Sequence, residues 1–249
     1  MSNTTFVQDT LTEDFVAIRN DLNQAQVATQ MADIVRQLLS KGVKTVSVVG
    51  GAASGKSTIA EELVEMLQNG GTSTDMLCTD NYVVGDLKHR QTDLKDADAK
   101  EKYNFKLMDE HIKAIRQLAT EDKTVAVPVI DAETGIAADA DPSTFSHKVP
   151  EVDVLVIEGD FPRDDYDVRF YIHVPDDQRL QNNIDRETER NDDADPGQLT
   201  ENFNARQRTL HRPYTLGALK TADFVLEADV DKDDWTYTLY QRVSHPETD

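Results

Sequence analysis

Short apolar, β-branched runs recur along this chain at residues 45–49, 76–79, 124–130, 152–157, 168–174 and 222–226. Runs of this length, bounded by Gly, Pro, Asp and Asn, predict buried strands. Pro128 marks its run as an edge or bulge position, and Pro175 closes the run before it. Residues 232–243 alternate weakly and predict one more strand. Between these runs the apolar spacing changes to helical: 58–67, 107–118 through Ile112 and Ile115, 177–190 and 199–210, with a break at 191–196. Near the start, Phe15, Ile18, Leu22, Met31, Ile34, Val35, Leu38 and Leu39 keep a helical period over 12–40. Glu13 and Asp14 lie near its beginning and Gly42 just past its end, so one or two helices are expected, docked beside the first strand. Strands alternating with helices predict an α/β fold, a doubly wound parallel sheet. The polar stretch 86–102 reads as a loop or lid-like excursion, and the turn-rich stretch 131–150 as a short β-ribbon with a loop.

Charge narrows the partners. Lys and Arg number 26 against 47 Asp and Glu, a net charge of −21. Such a surface repels nucleic acid and anionic membrane, so neither is expected as a partner. A single cysteine, Cys78, excludes an internal disulfide and a thiolate metal cluster. His111, His147, His173 and His245 have no metal-ligand spacing. The first residues show neither a basic region nor an apolar core, and no apolar run is long enough to span a bilayer, so a cytoplasmic setting is expected.

The chemistry is announced by residues 50–57, Gly50-Gly51-Ala52-Ala53-Ser54-Gly55-Lys56-Ser57, followed by Thr58. This is the G-x-x-x-x-G-K-[ST] phosphate loop, between a predicted strand and a predicted helix, which is the context it requires. Glycines let backbone N–H groups wrap a phosphate, and the helix adds its positive end. Lys56 would place a cation on the β- and γ-phosphates, and the Ser57 hydroxyl could ligate Mg²⁺. A nucleoside triphosphate, ATP, is the expected ligand. The core is therefore read as a P-loop NTPase fold over 43–249, with an N-terminal helical extension over 1–42 and a lid at about 177–198.

Ligands in such sheets gather at the carboxyl ends of the strands. Glu158 follows an apolar strand, the usual place of a carboxylate that helps hold Mg²⁺; a solvated or capping acid is the plainer reading. Asp160 is close by but points elsewhere if the strand continues. Asp80 ends the second strand and is the candidate general base for an acceptor hydroxyl; an Asx turn at Asp80-Asn81 is the alternative. Arg179, Arg186 and Arg190, at i, i+7 and i+11, share a helical stripe that could close over the γ-phosphate. Glu187 and its acidic neighbours offer simple ion pairs instead. Tyr103 and Phe105 flank Asn104 and could stack on a base or sugar, or anchor the next helix. Lys88, His89 and Arg90 form a small basic cluster, available to a phosphate-bearing acceptor or merely solvated. His211-Arg212-Pro213-Tyr214 either lines the site or ends a helix. Asp80, Tyr82, Arg90, Tyr103, Phe105 and Arg179 are the residues expected at the acceptor.

The order of these elements resembles the uridine kinase / phosphoribulokinase family of P-loop kinases. The resemblance covers roughly residues 43–228 and rests on the phosphate loop, Asp80-Asn81-Tyr82, Tyr103-Asn104-Phe105, Val127-Pro128, Val156-Ile157-Glu158-Gly159, the arginines from Arg179 to Arg190, and Pro213 before Ala222-Asp223. It implies ATP and Mg²⁺ as cosubstrates, transfer to a primary hydroxyl, Asp80 as base and Arg186 and Arg190 as lid arginines. The acceptor stays open. Where uridine kinases continue the Asn-Phe element with Asp-His-Pro, this chain has Lys106-Leu107-Met108. Ile130-Asp131 stands where a tyrosine is usual, and Asn183 and Asp192 stand at positions that are usually arginine.

Two function classes follow. One is a kinase acting on a nucleoside, sugar or sugar phosphate. The other is a nucleotide-binding regulator that hydrolyses ATP slowly, favoured by the thinned lid and opposed by Asp80. A nucleoside monophosphate kinase would need an arginine clamp that the sequence does not assemble. Self-association, if present, is expected through the N-terminal helix or the 131–150 ribbon.

Overall fold

The structure, a computed structural model, describes residues 10–11, 13–84, 98–118, 123–130, 146–231 and 234–243. In chain order the elements are β1 (Phe15–Leu22), α1 (Gln24–Leu39), β2 (Thr45–Gly50), α2 (Lys56–Asn69), β3 (Thr74–Cys78), α3 (Phe105–Arg116), β4 (Thr124–Pro128), β5 (Ser146–Pro150), β6 (Val154–Gly159), β7 (Val168–His173), α4 (Asp176–Arg190), α5 (Pro196–Arg206), β8 (Phe224–Asp231) and β9 (Asp234–Arg242).

Seven strands form one sheet in the order β1-β9-β8-β7-β2-β6-β3. Strands β3, β6, β2, β7 and β8 run parallel; β9 pairs antiparallel with β8, and β1 pairs antiparallel with β9 and so runs with the other five. The central strands β2 and β6 are buried at every position, as apolar residues on both of their faces require. Register then places the site. Cys78 lies level with Glu158, and Glu158 with Val48. The turns that leave β3, β6 and β2 therefore open at one edge.

Residues 15–22 correct the sequence reading. They form an edge strand, β1, paired with β9 from Phe15↔Arg242 to Leu22↔Tyr237. Register shifts at 17–19 and 19–22 interrupt the two-residue alternation, so Phe15, Ile18 and Leu22 fall at helix-like spacing within a strand. The true helix starts at Gln24. Asn23 caps it in a reciprocal box: its Oδ1 accepts from Gln26 N–H at 2.9 Å, and Gln26 Oε1 accepts from Asn23 N–H at 2.9 Å. Helix α1 sets Val27, Met31, Ala32 and Val35 into one core with Val46, Val48, Ile59 and Leu63. Gly42 has φ +88°, which reverses the chain into β2.

On the other face α3 packs Met108, Ile112 and Ile115 against Leu77, Leu155 and Ile157. The strand expected at 124–130 is β4, which stands apart from the main sheet and pairs antiparallel with β5 as a separate two-stranded sheet; of the ribbon expected over 131–150 only β5 is described, and residues 131–145 lie outside the described residues. The helix expected over 199–210 is α5 followed by a π-helical turn at Gln207–His211. Among the described residues, no helix is long and apolar enough to cross a membrane.

Candidate active site

The phosphate loop leaves β2 at Gly50 and enters α2 at Lys56. Gly55 takes φ +76° and Ala53 φ +60°, the left-handed region that bends the loop back on itself. Helix α4 holds the loop from behind. Arg179, only 1% exposed, donates to the Ala52 carbonyl at 3.2 Å and to the Val174 carbonyl at 3.2 Å. It pairs with Asp176 at 2.6 Å and lies over the Phe203 ring. Asn182 Nδ2 donates to the Ala53 carbonyl at 3.1 Å. In a trans peptide the C=O and the following N–H point oppositely. Holding Ala52 O on Arg179 thus turns the Ala53 N–H away from α4. A Cβ on Gly51 would collide with the Arg179 guanidinium and the His211 ring, so glycine there is what lets the arginine approach. Burial and the Arg179 charge push the His211 imidazole down to about 3, and the same causes push His173 down to about 4. Both rings are neutral beside the arginine.

In front of the loop stands a charge cluster. Lys56 Nζ is 3.4 Å from Glu158 Oε1 and 3.2 Å from Asp160 Oδ1. Ser57 Oγ donates to Glu158 Oε1 at 3.0 Å, and Cys78 Sγ donates to Glu158 Oε2 at 2.9 Å. Arg206, from the end of α5, closes the cluster by pairing with Asp160. Burial opposes the Lys56 charge, but Asp160, Glu158 and Asp80 together hold its proton more tightly than usual. Burial likewise opposes ionisation of Asp160, yet Lys56 and Arg206 keep it well below the usual carboxylate range. Burial, with Glu158 and Asp80 nearby, keeps the Cys78 thiol protonated.

Asp80 sits on the single 3₁₀ turn Thr79–Tyr82 that follows β3. Two contacts fix it. Thr79 Oγ1 donates to the Glu158 carbonyl at 2.6 Å, and a Cβ on Gly159 would collide with that hydroxyl. Tyr103 OH donates to Asp80 Oδ1 at 3.2 Å. Burial and the Asp80 charge push the Tyr103 phenol up, so it remains a donor. Tyr103 stacks on Phe105 and meets the edge of Phe161, with ring centroids 5.6 and 4.9 Å apart. Beside these rings a cavity of about 250 Å³ is lined by Lys100, Phe105, Phe161, Pro162 and Arg163.

Several expected residues meet here: the loop 50–58, Glu158, Asp80, Tyr103 and Phe105. Arg186 and Arg190 line a cavity of about 630 Å³ together with Ala53–Thr58 of the loop, and both also approach Glu187, at 2.9 and 3.6 Å. Two residues expected at the acceptor lie elsewhere. Tyr82 is 1% exposed, packed among Leu77, Met108 and Ile112 with its hydroxyl 3.1 Å from His111 Nδ1, because the 3₁₀ turn swings it back toward α3. Arg179 is behind the phosphate loop, since it lies in the first turn of α4 where that helix abuts β7. Arg90, with Lys88 and His89, lies outside the described residues. Asp160 corrects the expectation that it points away: β6 ends at Gly159, so strand alternation no longer governs the next side chain. Arg206 and Asn182 were missed. The only local sign of Arg206 is its i+3 spacing from buried Phe203, which puts both on the inner face of α5.

Ser57 and Glu158 present hard oxygen donors beside the loop, the kind that Mg²⁺ takes. Among the described residues no group of three or more His, Cys, Asp or Glu could hold a metal alone.

Comparison with known proteins agrees with this arrangement. The model of the phosphoribulokinase / uridine kinase family matches residues 45–226. The chain is 29% identical to a uridine kinase of Ureaplasma parvum over 153 residues, 58% of this chain and 69% of that one. It is 27% identical to a uridine kinase of Staphylococcus aureus over 196 residues, 75% of this chain and 88% of the other. Among solved structures, the D-glycerate 3-kinase of Cryptococcus neoformans superposes with a TM-score of 0.59 at 10% identity, covering 84% of this chain and 98% of that one. The chain belongs to the phosphoribulokinase / uridine kinase family and is an ATP-dependent phosphotransferase with a hydroxyl acceptor.

Proposed function

We propose that this kinase transfers the γ-phosphoryl group of Mg-ATP to a hydroxyl of a nucleoside or sugar, with Asp80 as general base. The observation that carries the reading is the position of Asp80. It stands at the strand edge shared with the phosphate loop, oriented by Tyr103 and beside the Lys56–Glu158–Asp160 cluster. Asp80 would accept the hydroxyl proton as the oxygen attacks the γ-phosphorus in line and ADP leaves. Lys56, charged and buried, would neutralise the phosphate oxygens, and Arg186 and Arg190 would approach from α4. Ser57 and Glu158 would hold Mg²⁺, which supplies further neutralisation of the triphosphate.

The acceptor would enter beside Phe105 and Phe161, whose rings suit the face of a base or sugar. The uridine kinases among its relatives favour a nucleoside. Arg206 and Lys100, near Asp80 and the aromatic wall, leave room for an acceptor that carries an anionic group.

ADP release with Mg-ATP, measured against uridine, cytidine, ribose, fructose, ribulose 5-phosphate, pantothenate and glycerate, tests the proposal. Stimulation by one acceptor is expected. Slow release indifferent to the whole panel would favour a nucleotide-binding regulator.

A further inference from the structure

The cavity above the phosphate loop extends beyond the residues that the family match covers. Its walls include Gln24, from the first turn of α1, and Trp235 and Tyr237, from β9, as well as Lys56 and the α4 residues Asn182 and Arg186. The family match ends at residue 226, before β9 begins, and starts at residue 45, after α1 has ended. This part of the cavity is therefore built by elements outside the matched stretch.

Trp235 and Tyr237 are two residues apart on β9, so both face the side of the sheet where α1 and α2 pack. Their rings lie 6.2 Å apart. Tyr237 is sealed into the core at 2% exposure, whereas Trp235 is only partly buried, and its ring is left against the cavity. Three strand spacings separate β9 from β2 in the sheet, about 14 Å. Trp235 is thus out of reach of phosphates seated on the loop, and what it meets is the far end of a ligand whose phosphates are held there. Gln24 is braced by donating to Glu62 Oε1 at 2.6 Å, which ties the start of α1 to α2 at the same wall.

We propose that Trp235 is the stacking platform for the nucleotide's base, so that the β8–β9 hairpin grips the base end of ATP. An indole face attracts any purine by stacking. The proposal rests on the phosphate-loop reading above, and it can fail while that reading stands.

The chain contains one tryptophan, so its emission reports this contact directly. In the unmodified protein, ATP is expected to quench tryptophan fluorescence saturably, and inorganic tripolyphosphate, which has no base, is expected to bind by calorimetry without quenching. Trp235→Ala should weaken ATP binding about tenfold or more while leaving tripolyphosphate affinity unchanged. Trp235→Phe should recover most of the loss. Calorimetric ATP binding without quenching, equal quenching by tripolyphosphate, or unchanged ATP affinity in Trp235→Ala would each overturn the stacking role alone. Binding of neither ligand would remove the phosphate-loop reading and the proposal with it.

Discussion

Gly51 and Asp160 show how single residues set this site. A methyl group at Gly51 meets the Arg179 guanidinium, itself pinned by Val174 and Asp176. Gly51→Ala is expected to displace the loop and lower ATP affinity at least tenfold, measured by calorimetry, with a folded far-UV spectrum. Asp160→Asn removes the shared partner of Lys56 and Arg206. Because the Arg206 side chain keeps 42% of its exposure, water compensates part of the loss. About 2 kcal/mol of stability should go, less than for a fully buried pair, as read by urea unfolding. The buried histidines predict a pH dependence with a defined sign. His173 and His211 have folded pKa values pushed down to about 4 and about 3, against about 6.5 in an unfolded chain. Below pH 6.5 the unfolded chain binds protons that the folded one refuses, so stability present above that pH is lost as pH falls toward 4. Urea midpoints measured from pH 7.5 to 4.5 should decline, and the decline should be shallower in His173→Gln/His211→Gln. An identical profile in that variant would contradict the assignment.

At the scale of elements, the start of α1 is decided by its cap. Asn23→Ala should cost about 1 kcal/mol, visible as a lower urea midpoint. What could be read from sequence follows from how local each cause is. The runs at 45–49, 152–157 and 168–174 are legible because inner strands of a covered sheet carry apolar residues on both faces, and Ser47, Asp153, Arg169 and His173 are too few to hide them. The phosphate loop is legible because its glycines and lysine answer to one ligand. Residues 15–22 were not, since bulges broke the alternation by which a strand is recognised, and the pairing that makes them a strand lies more than two hundred residues away on β9. Arg206 and Asn182 were hidden for a similar reason: each meets its partner only through the packing of α4 and α5. Tyr82 and Arg179 were legible as residues but not as directions, which only the turn after β3 and the docking of α4 decide.

The whole molecule carries a net charge of −21, and its folded state compacts that charge. Self-repulsion falls within a Debye length of about 10 Å at 0.1 M salt and about 3 Å at 1 M. The melting temperature should therefore rise between 10 mM and 1 M NaCl, and a flat or falling curve would show that the acids are already neutralised locally. The same field bears on the site. Within an acidic surface, Lys56, Arg206, Arg186 and Arg190 gather at one strand edge, where a triphosphate would meet cations rather than carboxylates alone. The proposed transfer turns on Asp80 taking the proton of the acceptor hydroxyl. The most direct measurement is acceptor-dependent transfer of the labelled γ-phosphoryl group in Asp80→Asn, with ATP affinity measured alongside. A rate reduced by about 10²–10⁴ with ATP affinity unchanged is the predicted result. Transfer at the unmodified rate would contradict it.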